Sequence, residues 1–292
     1  RVRNTAAVAF LPPDKDLAWT SLFAQDEIAL RKNVHLTLGG RIEHNDYTGN
    51  EFLPNARLGW EPLPDHFIWT AASRAVRAPS RIDRELFIPG SPPYSIAGGA
   101  TFVSEVAEVY EVGYRAQPLP ALSYSITLFR HNYRRLRSLK PTAAGTIVEN
   151  QVEGAASGVE SWASYRVNTF WRLSGGFVVL NEDLKTRSGA PDPASLASLG
   201  NAPSNWWLLR STLDLTPRHE FDLMVRRVGG LSNPAVPAYT AVDARLGWRI
   251  RSNLEASLSL FNLFDPGHEE WGPPATRSEY GRSVFLSATW KP

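Results

Sequence analysis

The chain of 292 residues contains no cysteine. A disulfide framework and a thiolate metal site are both excluded. No run of about 18 apolar residues occurs anywhere, so no transmembrane helix is encoded. Charge of one sign is not in excess: 31 Lys and Arg stand against 29 Asp and Glu. That balance does not suggest a nucleic-acid partner. No nucleophile elbow, phosphate loop or paired-carboxylate helix motif is found, and an enzyme is not expected. The six histidines, at 35, 44, 66, 131, 219 and 268, lack metal-ligand spacing, so no protein metal site and no cofactor are expected. His268 stands in a loop, and no ligand contact is expected there either. No signal peptide precedes Arg1, which suggests a mature chain or a fragment.

What the chain does have is period-two patterning, clearest over residues 239–292. Val242, Ala244, Leu246, Trp248 and Ile250 alternate with Asp243, Arg245 and Arg249. Residues 251–253 turn the chain. Leu254, Ala256, Leu258 and Leu260 then alternate with Glu255, Ser257 and Ser259, and Val284, Leu286, Ala288 and Trp290 with Ser283, Ser287 and Thr289. Such alternation marks a strand with different surroundings on its two faces. A soluble sheet turns its apolar face inward. A transmembrane barrel turns it outward, over spans of about 9–11 residues. The lengths fit the barrel. A mean hydropathy of −0.25 is compatible with it, because only half of a barrel strand is apolar. Ten Trp, nine Tyr and thirteen Phe suit the aromatic girdles of such a barrel.

The same reading along the chain predicts about 13–14 antiparallel strands. Tight turns are expected at 31–33, 62–65, 117–120, 168–169, 217–219 and 251–253. Long loops are expected at 75–104, 134–154, 183–205 and 262–281, with a shorter one at 229–237. Residues 5–10 read as the end of a strand whose start is missing. Counting back from a periplasmic C-terminus, every tight turn falls on the periplasmic side and every long loop outside, the arrangement of outer-membrane barrels. An open sheet edge cannot face hydrocarbon, so the sheet must close. The chain as counted starts on the extracellular side. It is therefore expected to lack an N-terminal portion, or to receive it from a second chain.

Several short pieces stand in a telling order: Leu22-Phe23-Ala24-Gln25-Asp26-Glu27, Leu38-Gly39-Gly40-Arg41-Ile42-Glu43-His44, Pro54-Asn55-Ala56-Arg57-Leu58-Gly59-Trp60, Ser73-Arg74-Ala75-Val76-Arg77-Ala78-Pro79-Ser80, Glu108-Val109-Tyr110-Glu111-Val112-Gly113-Tyr114, Gly158-Val159-Glu160, Val236-Pro237-Ala238-Tyr239, and Asn262-Leu263-Phe264-Asp265 with His268. Taken together, residues 1–292 resemble the C-terminal barrel portion of a TonB-dependent outer-membrane receptor, with plug domain and first strands absent. The resemblance implies a Gram-negative outer-membrane barrel of about 22 strands. It implies a plug that engages TonB, so that TonB is reached only through a portion not in this chain. It also implies cargo such as a ferric siderophore, haem or cobalamin, and outer-membrane lipid and lipopolysaccharide as surroundings. A closing aromatic residue is usual in that family; here Trp290 is followed by Lys291-Pro292.

The candidate ligand-binding residues are Arg74, Arg77, Arg81, Arg84, Tyr94, Phe102, Trp271 and Tyr280. Arginine offers forked donors to an anionic chelate, and the rings offer stacking surfaces for a planar or catecholate ligand. The plainer alternatives are pairing of the arginines with plug carboxylates, with Asp83 and Glu85, or with lipopolysaccharide phosphates. Trp206, also in this group of rings, is as well explained by an aromatic girdle. The lumen-facing ladder Arg41, Glu43, Arg57, Glu111, Arg115, Glu160, Arg166, Asp243, Arg245, Arg249 and Glu255 is either a ligand path or a wetted, mutually paired wall. A ligand-specific uptake receptor is the leading expectation. A passive pore or an inactive fragment are the others.

Overall fold

The computed structural model of the chain describes residues 8–143, 145–187 and 193–291. Thirteen strands follow one another in a single antiparallel sheet: Trp19–Arg31, Val34–Asn45, Gly49–Leu63, His66–Arg77, Glu105–Leu119, Leu122–Thr142, Gly145–Arg166, Trp171–Thr186, Asn205–Thr216, His219–Val228, Tyr239–Arg251, Leu254–Phe261 and Ser283–Trp290. Each hydrogen-bonds to the strand before it in sequence. Among the described residues no helix is long and apolar enough to cross a membrane.

Register fixes the faces. Leu213 pairs with Phe221, Phe221 with Leu246, Leu246 with Leu258 and Leu258 with Leu286, so five apolar side chains share one face across five strands. Leu246 is 44% exposed and Leu286 75% exposed. Among the described residues nothing packs over this row. The adjacent row runs through Thr212, Asp222, Arg245 and Ser259 and faces the other way. Among the described residues no second layer buries the apolar face. The largest fully buried side chains, among them Phe102, Val148, Val152, Asn45, Ser104 and Ser138, lie toward the extracellular loops instead. Trp19–Arg31 and Ser283–Trp290 are the free edges and do not pair with each other.

Several expected loops are partly sheet. Residues 134–154 do not form one loop. The strands on either side continue upward and pair as far as Thr142 with Gly145. The alternation fades there because the first long loop covers part of these upper strands, burying Val148, Val152 and Ser138, and a bulge interrupts it. Residues 183–205 extend the preceding strand to Thr186 and add the helix Pro193–Leu199. The segment 262–281 holds a small hairpin, Gly267–Glu269 with Glu279–Gly281, and 229–237 another, Leu231–Ser232 with Ala235–Val236. Ala9–Phe10 is not the end of a wall strand. It pairs with Leu86–Phe87 inside the first long loop; residues 5–7 of that expectation lie outside the described ones.

Candidate functional site

The first long loop is a tied structure. Leu86–Ile88 pairs on one side with Ala9–Phe10 and on the other with Ile96–Ala97. Ile96–Ala97 in turn pairs with Thr146 and Ile147 of a wall strand. The loop is thereby stitched to the sheet through backbone hydrogen bonds. Gly99 makes the close approach possible: a Cβ there would lie 1.8 Å from the carbonyl oxygen of Val148.

Two buried carboxylates knot the loop together. Ser80 opens the short helix Arg81–Arg84 and donates to Asp83 from its backbone N (2.9 Å) and its hydroxyl (2.8 Å). Asp83 is 2% exposed and also meets Arg77 at 3.0 Å and Arg137 at 3.1 Å. Glu85, likewise buried, accepts from Lys15, from Arg81 at 2.9 Å and from the Tyr47 hydroxyl at 3.0 Å. Burial pushes both carboxyls upward. Their cationic and hydroxyl partners outweigh it and hold both below the usual carboxylate range. Tyr47, desolvated and hydrogen-bonded to Glu85, is pushed up to about 12.

The four candidate arginines are all engaged, three of them in this knot. Arg77 bridges Asp83 and Glu105 and lies over the Phe102 ring at 5.7 Å. Arg81 donates to the carbonyls of Pro12 and Pro13 and covers the Phe10 ring. Arg84 donates to the Tyr47 and Ala100 carbonyls. Arg74 stands apart from these three, on Glu51 (3.2 Å) and the Phe52 carbonyl. Tyr94 packs against Phe87 with ring centroids 4.9 Å apart. Phe102 is 1% exposed and points into the knot, with no open ring face. Sequence reasoning anticipated Asp83 and Glu85 but missed Lys15, Tyr47, Glu51 and Arg137. These come from four distant segments, and no local pattern marks them.

Trp271 and Tyr280 belong to the last loop, apart from this knot. His268 is buried there, with its Nδ1 2.8 Å from Asp265 and its Nε2 3.2 Å from Glu270. Its ring stacks on Tyr239 at 3.9 Å and faces Tyr280 at 6.1 Å. Tyr280 is half exposed at the outer end of this stack, and Trp271 is 74% exposed. Asn262 anchors the loop base, donating to the Tyr280 and Gly281 carbonyls at 3.3 and 3.1 Å. Among the described residues no cluster of three or more His, Asp or Glu could hold a metal ion.

Much of the inner wall satisfies itself. Asp222 binds Arg210 at 2.9 Å and Arg245 at 3.1 Å, Asp243 binds Arg226 at 2.8 Å, and Arg249 reaches Glu255 at 3.6 Å. These pairs cross strands on the face opposite the leucine row.

The model of the TonB dependent receptor-like β-barrel family matches residues 3–263. The iron-regulated outer membrane virulence protein of Vibrio cholerae serotype O1 is 24% identical over 279 residues, covering 83% of this chain and 40% of that protein. Among solved structures, a mutant of the ferric enterobactin receptor PfeA from Pseudomonas aeruginosa superposes with a TM-score of 0.78 at 19% identity, over 94% of this chain and 45% of that one. The siderophore receptor PirA from Acinetobacter baumannii gives 0.77 at 13%, over 94% and 46%. The chain thus spans less than half the length of these relatives.

Proposed function

The chain belongs to the TonB-dependent receptor β-barrel family, and from that premise we propose that it forms the C-terminal wall of a receptor that takes up a ferric siderophore or similar metal chelate. It is a β-barrel segment of the Gram-negative outer membrane, and its relatives are receptors rather than enzymes. Two relatives named for ferric enterobactin and for iron regulation support an iron-bearing cargo. On this reading the plug and the strands that pair with both free edges come from the rest of the receptor, and TonB is engaged through that part. An unpaired edge in hydrocarbon is costly, which supports the need for such strands.

The observation that carries the reading is the aromatic face of the last loop. Trp271 and Tyr280 are exposed, and Tyr280 is backed by a buried histidine fixed between two carboxylates. Exposed aromatic rings suit the planar, electron-rich rings of a catecholate chelate, and an aromatic side chain has few torsions to lose on contact. Arg77, with half its side chain exposed, is the loop cation best placed to add anion attraction. Arg81, Arg84, Tyr94 and Phe102 shape the loop around it, and Arg74 lies apart on Glu51. The test is the full-length receptor carrying Trp271→Ala with Tyr280→Ala, assayed for binding of a ferric catecholate. A loss of about tenfold or more is expected, as each base-sized stacking contact contributes about 1–3 kcal/mol. Unchanged binding, with the receptor correctly inserted, would remove the last loop from the ligand site.

A further inference from the structure

The outer face of the wall carries a basic recess just above its apolar belt. Leu128 is 57% exposed on the outward face, and Arg130, Asn132 and Arg134 follow on that face at steps of two. Leu128 pairs with Val159 and Val159 with Val179, whose face continues to Lys185 and Arg187. A strand crosses the hydrocarbon in about 9–11 residues. Arg134 is the thirteenth residue of the strand Leu122–Thr142, so it stands at the boundary with the headgroups.

A bulge shapes the recess. The ladder passes from Val152–Leu136 to Gly154–Tyr133, so Arg134 and Arg135 together oppose Glu153 alone. Arg135 has φ 60°, in the left-handed region, and the Asn150 amide donates to its carbonyl at 2.6 Å. A non-glycine residue stays there only when its surroundings hold it. Here the result is that Arg134 and Arg135, consecutive in sequence, both line one recess. Arg74, Arg134, Arg135 and Arg187 line a cavity of about 340 Å³, with Val106 and Glu153 as its other walls. Glu51, Glu108 and Glu153 pair with Arg74, Arg134 and Arg187. Among the described residues, Arg135 meets no carboxylate.

We propose that this recess binds a phosphate group of a glycolipid headgroup in the outer leaflet. Arginine forks match phosphate oxygens two at a time, and basic pockets at the membrane boundary attract anionic headgroups. Arg134 and Arg187 share the outward face with the belt residues Leu128 and Val179, which points to a membrane component rather than a soluble anion as the occupant. The site rests on the outward orientation of the belt and is independent of the cargo.

The test uses the full-length receptor in detergent micelles, titrated with purified lipopolysaccharide and read by native mass spectrometry. Arg134→Gln with Arg135→Gln is expected to weaken binding at least tenfold, and dephosphorylated lipopolysaccharide to bind the unaltered receptor equally weakly. Arg135→Gly separates binding from folding: glycine adopts the left-handed backbone without strain, so this variant folds at least as well yet loses affinity. Arg251→Gln, at the opposite rim, is expected to bind normally, and ferric-chelate binding to be unaffected in all variants. Equal lipopolysaccharide binding by the double variant and the unaltered receptor would overturn the site. Displacement by equimolar inorganic phosphate would overturn its assignment to a lipid.

Discussion

Leu246 and Leu258 stand directly opposite each other on adjacent antiparallel strands, both on the face turned away from the Asp222–Arg245 ion pair. A cross-strand pair of this kind would anchor the core of a soluble sandwich. Here Leu246 remains 44% exposed, and the next partner, Leu286, is 75% exposed. The polar row is the one knit together by charge. Exposed apolar side chains on one face and paired ions on the other mean that the sheet is solvated by lipid on its apolar face.

Placing an arginine in that row is therefore expensive. Leu246→Arg or Leu258→Arg is expected to cost about 2–4 kcal/mol in urea unfolding from lipid vesicles, because the charge enters mid-belt. Ser257→Arg is expected to be far milder, since Ser257 lies on the inner face and bonds Ser287 at 2.8 Å. Equal tolerance at all three positions would invert the assigned faces.

The wall was legible because each strand separates two solvents, and residues such as Leu246 and Arg245 report them alternately. That signal stops where the contrast between solvents stops. Above the belt the strand at Arg134, Arg135 and Arg137 meets the folded first loop on one face, where Arg137 reaches the buried Asp83, so polar residues stand on the covered face as well and an ordered ladder read as a loop. The carboxylate knot was visible only in part. Asp83 and Glu85 lie beside the arginines in sequence, whereas Tyr47, Lys15 and Arg137 reach them only through tertiary structure. The strand character of Ala9–Phe10 was legible, but its pairing with Leu86–Phe87 of the first long loop was not.

Asp83 holds the loop from three directions, and its loss should be felt locally. Asp83→Asn removes the charge that gathers Arg77 and Arg137, so the loop over 81–102 should open more readily. Hydrogen bonds to charged groups contribute about 1–3 kcal/mol. Backbone hydrogen exchange in this segment is expected to quicken accordingly, with no change in the wall strands. Unaltered protection of the segment would show that the backbone stitching to Thr146 and Ile147 suffices without the carboxylate.

Acid should loosen the same loop. Asp83 and Glu85 are both held below the usual carboxylate range when folded. Groups depressed in this way contribute stability that is complete above their unfolded values, about 4. The contribution is lost as pH falls through the lower, folded values. Protection of the segment 81–102 is thus expected to be flat from neutral pH down to about 5 and to decline below about 4. A decline that begins near pH 6.5 would point to a histidine instead.

Gly99 and Gly49 offer a paired test of how tightly the loop is pressed on the wall. A Cβ on Gly99 would lie 1.8 Å from the Val148 carbonyl oxygen, a backbone atom that cannot turn aside. Gly49, by contrast, has φ 72° but nothing within 4 Å of its added Cβ. Gly49→Ala therefore meets only left-handed strain, about 1–2 kcal/mol. Gly99→Ala has to lift the segment away from its wall strand. That movement breaks the Gly99 N–H bond to the Asp83 carbonyl, 2.9 Å long, and uncovers Phe102. Limited proteolysis of the inserted receptor is expected to cut Gly99→Ala within 81–102 and to spare Gly49→Ala. Similar resistance in both would mean that the close approach at Gly99 contributes nothing to loop docking.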